Sequence, residues 1–362
     1  MTTSDSNQSA PNPTRRRFAA GLAASAGAAV FAPAVIVRSA HAAERIVVAQ
    51  PGGPYETAFQ KAFAEPFTKA TGIEVVLVAR PFFPAAQVQT QVETKSYQWD
   101  VVSLSSFDVE ILARKNFLEN LNLNSKDLEG IMPNAIRPQW LGVDVYATVM
   151  AYRTDRIKGA APRNWADLWN TGAIPGRRAM FKSPIGTLEQ ALMADGVAPK
   201  DVYPIDYARA FKKLDEIKAK VNTWWSSGVQ STQLLRDGGA DVMAVWNGRA
   251  QAAIDDGAPA RIVWNQGLYT VHGFSIPRGA PKRTPSLEFI RFCASAERQA
   301  AYTPLLAGGP TNLKAYNFID PKLAATLPTA PAHLNTLLEQ NTSWWTDNKD
   351  EAVNRFNQWL IV

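Results

Sequence analysis

Few side chains in this sequence can do covalent chemistry, and those few are scattered. The 362 residues contain one cysteine, Cys293, and three histidines, His41, His272 and His333. One cysteine excludes an intrachain disulfide, a zinc ribbon and a thioredoxin-like pair, and three separated histidines leave no histidine-rich metal site. A dinucleotide glycine fingerprint, a haem-attachment pair and a Gly-x-Ser-x-Gly elbow are all missing. Recognition without covalent change is what remains. Gly52-Gly53 ahead of Tyr55 lets backbone approach a bound molecule, and a loop entering a helix offers free N–H groups to anionic or carbonyl atoms. Ser103, Ser105 and Ser106 lie where an apolar run gives way to a helix, so each is either an N-cap or a hydroxyl aimed at a ligand. Trp224, Trp225 and Trp246 end apolar runs, as core residues or as ring faces for organic cations and apolar chains. Asn247 and Arg249 follow Trp246 closely, and His272 is either a ligand contact or a hinge residue bonded to backbone. Cys293 reads as an inert core thiol, and His333 as a surface residue.

The elements that must position these residues alternate between strand and helix. Arg45 to Gln50 is a short apolar strand that turns at Pro51-Gly52-Gly53-Pro54. Phe59, Phe63 and Phe67 recur every four residues, which predicts one helix from Tyr55 to Ala70. Ile73 to Val78 and Asp100 to Leu104 read as further strands, the latter running into a helix from Asp108 to Lys115. A long strand, Val145 to Tyr152, marks a crossover between lobes. After it come strands at Arg178 to Phe181, Asn222 to Trp225 and Asp241 to Trp246, with helices between them. Ile262 to Trp264 and Gly267 to Ile276 are two more strands, the second carrying the chain back. The pattern predicts two α/β lobes with mixed, mostly parallel sheets and two hinge crossovers, the site lying between the lobes at strand C-terminal ends.

The chain's basic balance belongs largely to its first residues. Arg15-Arg16-Arg17-Phe18 precedes an Ala- and Gly-rich run ending at Ala40-His41-Ala42, the order of a twin-arginine-type export signal. Residues 1–42 hold four arginines and one aspartate, which leaves 34 basic and 31 acidic residues, interspersed, in the remainder. No basic stripe exists for nucleic acid, and no later run is long and apolar enough to span a membrane. The expected product is periplasmic and monomeric, without cofactor, metal or nucleic-acid partner.

Several blocks in fixed order carry a family resemblance. They include Gly52-Gly53-Pro54-Tyr55, Trp99-Asp100-Val101-Val102, Asn164-Trp165-Ala166-Asp167-Leu168-Trp169, Ser183 to Glu189, Trp224 to Gly228, Val245 to Arg249, Ile276 to Ala280, Phe289 to Phe292 and Gly309 to Asn312. With them the chain resembles the periplasmic solute-binding proteins of ABC importers, in the branch of the spermidine and putrescine receptors. The resemblance implies a type II Venus-flytrap fold, capture of a small organic solute, and delivery to an inner-membrane permease. It places lobe 1 at 43–148 plus 272–312 and lobe 2 at 149–271 plus 313–362. The implied ligand-binding residues are Gly53, Tyr55, Ser105, Ser106, Tyr146, Thr187, Glu189, Trp225, Trp246, Asn247, Arg249, Tyr269 and His272.

The sequence departs from that family where the ligand's charge is read. Polyamine receptors carry an aromatic residue and, two positions on, an aspartate in the second crossover; here Thr270 and His272 stand there. An alkyl diammonium ion in a partly dry cleft needs carboxylate partners, so the sequence points to a zwitterionic or carboxylated solute. The alternatives are a true spermidine/putrescine receptor, with Glu189 as the acid, and a twin-arginine-exported enzyme. A ferric-ion receptor is excluded by the lack of adjacent tyrosines.

Overall fold

The first apolar run forms β1 (Arg45–Gln50), paired in parallel with β2 (Glu74–Ala79) and β3 (Val101–Ser105). This computed structural model describes residues 44–81 and 83–361, so the export signal expected at 1–42 lies outside the described residues. Between β1 and β2, the predicted single helix is a continuous run of three pieces: α-helix Pro54–Phe59, π-helix Gln60–Ala64 and α-helix Glu65–Thr71. Pro66 explains the wider turns before it, because proline has no N–H for an ordinary helical bond and its ring crowds the preceding turn. Phe59, Phe63 and Phe67 are all buried. Phe63 stacks on Tyr302 at 5.0 Å, and Phe59 meets Phe274 edge-on at 5.4 Å.

The remaining strands are β4 (Ile136–Arg137), β5 (Trp140–Arg153), β6 (Arg178–Phe181), β7 (Val221–Trp225), β8 (Val242–Trp246), β9 (Ala260–Ser275), β10 (Gly309–Pro310) and β11 (Leu338–Glu339). They form one sheet in the order β2-β1-β3-β9-β5-β8-β6-β7, with β4 and β10 on β5 and β11 on β9. The outer neighbours on each side, β1 with β2 and β3, and β6 with β7 and β8, run parallel as expected. The centre is antiparallel instead: β3–β9, β5–β9 and β5–β8. The reason is that β5 carries the chain one way along the sheet's spine and β9 returns it.

β5 and β9 are paired from Leu141–Phe274 to Arg153–Ala260, far longer than either sequence run suggested. The two strands read at Ile262 to Trp264 and Gly267 to Ile276 are one strand with a bulge. Thr148 pairs with Leu268 and Met150 with Val263, so the residues between Val263 and Leu268 loop out, Gln266 at φ 63°. The C-terminal helix Thr342–Ile361 reaches two other helices. The Thr342 hydroxyl lies 3.2 Å from Ser106 Oγ on the helix Ser106–Arg114, and the Trp345 indole donates to Glu189 at 2.7 Å on the helix Pro184–Ala194. Cys293 is fully enclosed, and burial pushes its thiol up. His333 is not free at the surface as expected: its Nδ1 lies 2.8 Å from the Leu327 carbonyl and its ring stacks on Trp264 at 4.2 Å.

Candidate functional site

Three parallel strands end side by side and hand their next residues to one region. After β1 the chain turns through Gly52 and Gly53, at φ 82° and 59°, conformations that favour glycine, and enters the helix carrying Tyr55. After β2 comes Arg80, whose main-chain N–H donates to the Gln50 carbonyl at 2.8 Å and so ties the two strand ends together. β3 ends at Ser105, the N-cap of Ser106–Arg114; its hydroxyl donates to Asp108 at 2.7 Å while Asp108 N–H returns to it at 3.3 Å.

The spine adds a second group. His272 on β9 lies directly opposite Ser105 on β3 and Asp144 on β5, and Thr270 lies opposite Tyr146. Residues opposite each other or two apart share a sheet face, so Ser105, Asp144, Tyr146, Thr270 and His272 are on one side. The Tyr146 and His272 rings are 4.7 Å apart at 61°.

Charge in this region comes from Arg80, Arg249, Asp108 and Asp144. Burial raises the Tyr55 phenol and Asp144 raises it further, while Arg249 and Arg80 both act to lower it, so both guanidinium groups are within electrostatic reach of this tyrosine. Arg80 also acts on Tyr146, Asp108 and His272. Burial, helped by the Arg80 charge, pushes His272 down to about 3, so its ring is neutral and offers one donor and one acceptor. Burial pushes Asp144 up to about 7, against the single pull of the Val145 main-chain N–H. Asp108 is raised by burial, with the Ser105 hydrogen bond and Arg80 opposing.

Across from these, β6, β7 and β8 end in aromatics. Phe181 stacks on Trp225 at 4.5 Å, and Trp246 meets both, at 5.4 Å and 5.1 Å. Trp225 is fully enclosed and its indole donates to the Ala244 carbonyl, whereas Trp246 keeps part of its surface exposed. Arg249 packs on Gly228, where a Cβ would sit only 2.6 Å from Nε. Among the described residues no acid pairs with the Arg249 guanidinium and no acceptor within the protein takes a hydrogen bond from it.

The structure therefore sorts the thirteen expected residues. Gly53, Tyr55, Ser105, Tyr146, Trp246, Arg249 and His272 come together around the strand ends and spine. Six others have their polar atoms engaged with other groups of the protein. Ser106 bonds Thr270 at 3.1 Å, Thr187 donates to the Phe181 carbonyl, and Trp225 is core. Glu189 is fully buried, accepting from Gly186 N–H, Tyr203, Gln340 and Trp345; burial pushes it up and these four donors hold it in place. Asn247 bridges two main-chain groups, and the Tyr269 hydroxyl is shared by Asn134 and Glu339. Sequence reasoning missed Arg80, Asp108 and Asp144. The signal for Arg80 was a cation directly after an apolar strand; Asp144, an acid inside the apolar run of β5, gave none without the ladder that sets it opposite His272.

A cation pair beside phenols and a neutral imidazole is suited to a carboxylate, and the Trp246 and Tyr146 rings to an apolar chain. Among the described residues no group of three or more His, Cys, Asp or Glu is placed to hold a metal ion, and no helix is long and apolar enough to cross a membrane.

Comparison with known proteins adds a family to this geometry. A family profile described as bacterial extracellular solute-binding protein matches residues 62–333. The gamma-aminobutyric acid-binding protein of Pseudomonas aeruginosa is 31% identical over 314 residues, covering 85% of this chain and 88% of the relative. The crystal structure of an ABC transporter substrate-binding protein from Bradyrhizobium japonicum superposes with TM-score 0.81 at 34% identity, over 87% of this chain and 99% of the other. The structure of the Atu4243-GABA receptor superposes with TM-score 0.80 at 30% identity, over 88% and 98%. The fold is thus the mixed α/β two-lobed fold of substrate-binding proteins.

Proposed function

Since this chain belongs to the bacterial extracellular solute-binding proteins, we propose that it captures a small zwitterionic or carboxylated solute in the periplasm and delivers it to an ABC permease. The observation that carries this reading is Arg249. A partly buried guanidinium without an acid partner among the described residues, within electrostatic reach of the same tyrosine, Tyr55, as Arg80, is a ready partner for a ligand carboxylate. Neutral His272, where the polyamine receptors carry an acid, supports the same charge. So do the names of the relatives, since gamma-aminobutyric acid has a carboxylate at one end and an amine at the other.

In this reading the lobes divide at 43–148 plus 272–312 and 149–271 plus 313–362, and no chemical step occurs on the solute. Tyr55, Arg80 and Arg249 hold the carboxylate, Tyr146 and His272 line the floor, and Trp246 covers the chain. Calorimetry tests it. Spermidine brings no carboxylate to Arg80 and Arg249 and sets its own positive charges against theirs; a buried charge without its partner costs on the order of 3 to 5 kcal/mol, or about two to four decades in affinity, so 4-aminobutyrate should bind that much more tightly than spermidine. Submicromolar spermidine affinity would overturn the reading and restore a polyamine receptor. Small-angle scattering should show contraction with the solute that binds.

A further inference from the structure

The carboxylate reading leaves the other end of a zwitterion without an anchor, because Glu189, the acid expected to serve, is enclosed by its own four donors. One acid in the region is differently placed. Asp144 is 3% exposed, and its Oδ1 has no hydrogen-bond partner among the described residues. It sits directly across the β5–β9 ladder from His272, the position at which the resemblance leads one to expect an acid, and on the same sheet face as Tyr146 and His272. The acid absent from β9 is therefore present one strand away, a shift of one inter-strand spacing, about 5 Å. Gly308 lies against it: a Cβ there would overlap Oδ1, so only bare backbone covers the carboxylate on that side. A buried carboxylate oxygen without a partner is costly, and a cation brought to it removes that cost.

We propose that Asp144 receives the ammonium group of the solute, which makes the ligand class an ω-amino carboxylate rather than a simple carboxylate. This rests on the carboxylate reading above and extends it to the second charge. The groups facing Asp144 are Tyr55 on the helix Pro54–Phe59, Tyr302 on the helix Ala296–Leu306, His272 on β9 and Tyr146 on its own strand. With His272 neutral, the full positive charges that reach these groups are Arg80, which acts on Tyr55, Tyr146 and His272, and Arg249, which acts on Tyr55. Asp144 is therefore partly protonated near pH 7 before the solute arrives, and an ammonium beside it drives the proton off.

The test uses 4-aminobutyrate and pentanoate, which differ only in an ammonium replaced by a methyl group. Wild-type protein should prefer 4-aminobutyrate by at least about 100-fold, and Asp144→Asn should bring the two within about tenfold by weakening 4-aminobutyrate alone. A preference that survives in Asp144→Asn overturns the proposal. Should that variant fail to fold, calorimetry of the wild type in buffers of different ionisation enthalpy decides it. At pH 6.5, 4-aminobutyrate binding should release a fraction of a proton and pentanoate none; no release with 4-aminobutyrate overturns the assignment. If pentanoate binds as tightly as 4-aminobutyrate, the carboxylate reading stands and the Asp144 assignment falls. If neither molecule binds, nor any longer ω-amino carboxylate, both fall.

Discussion

The side chain of Asn247 accepts the main-chain N–H of Ala147 at 2.9 Å, so a residue at the start of the helix Asn247–Asp255 is fixed to the middle of β5. Its other amide atom donates to the Ala307 carbonyl at 2.8 Å. One carboxamide thus holds a spine strand and the loop before β10 together.

Removing it leaves a buried N–H and a carbonyl without partners, each worth about 1 to 3 kcal/mol. Asn247→Ala should lower stability by about 2 to 4 kcal/mol in denaturant unfolding with the slope unchanged. Asn247→Asp keeps the acceptor for Ala147 and should lose less. Equal losses in both variants would mean that the Ala307 bond carries the effect.

Arg249→Gln should weaken 4-aminobutyrate binding by about 10- to 100-fold, the worth of a charge-assisted hydrogen bond at about 1.5 to 3 kcal/mol. Its melting temperature should hardly change, because the guanidinium has no acid partner among the described residues to lose. Calorimetry and thermal unfolding on one sample separate the two effects.

Asp144 and His272 give opposite pH dependence to folding. His272 titrates near 6.5 when unfolded and near 3 when folded, so the unfolded chain binds the extra proton and stability falls as pH drops below 6.5. Asp144 rises from 3.8 to about 7 on folding, so the folded chain binds the extra proton and stability falls as pH rises from 3.8 to 7. The two slopes, each about 1.4 kcal/mol per pH unit, oppose one another between pH 4 and 6.5. Measured against wild type, Asp144→Asn should gain stability as pH rises through this window, and His272→Gln should gain it as pH falls. Parallel curves for all three proteins would show that neither group titrates as described.

Gly308→Ala should be destabilising, because the new methyl group overlaps Asp144 Oδ1 and the buried carboxylate must shift to admit it. Asp144→Ala should relieve the damage. A double-mutant cycle by thermal unfolding reads the coupling directly, and additive losses would place the obstruction elsewhere.

The outer elements were readable because each had a simple local cause. Phe59, Phe63 and Phe67 predicted a buried helix face, and the apolar runs before Gly52, Ser105 and Asn247 marked strand ends. The π-helical segment was not readable from that stripe, since Pro66 changes hydrogen bonding without changing which residues are apolar. The site was only half readable for a related reason. Glu189 and Asn247 have the right chemistry after the right strands, but buried neighbours and main-chain groups claim them. Asp144 went unnoticed because a single acid in a long apolar strand signals nothing until the ladder sets it opposite His272.

The long ladder between β5 and β9 bears on how the protein would move. Two bodies joined by loops can swing apart freely, but here both are threaded by the same pair of hydrogen-bonded strands. An opening that kept these hydrogen bonds would have to twist the ribbon and so load it in torsion. At the bulge beside Gln266 the ladder partners are replaced by others, Gln266 N–H donating to the Thr336 carbonyl at 2.9 Å and the Trp165 indole to the Gln266 carbonyl at 2.7 Å. Amide hydrogens of Val145 to Thr148 and Leu268 to Val271 should exchange slowly whether or not solute is present, while those at the bulge respond to it. Capture would then store elastic strain in the backbone, available to reopen the protein when the permease takes the solute.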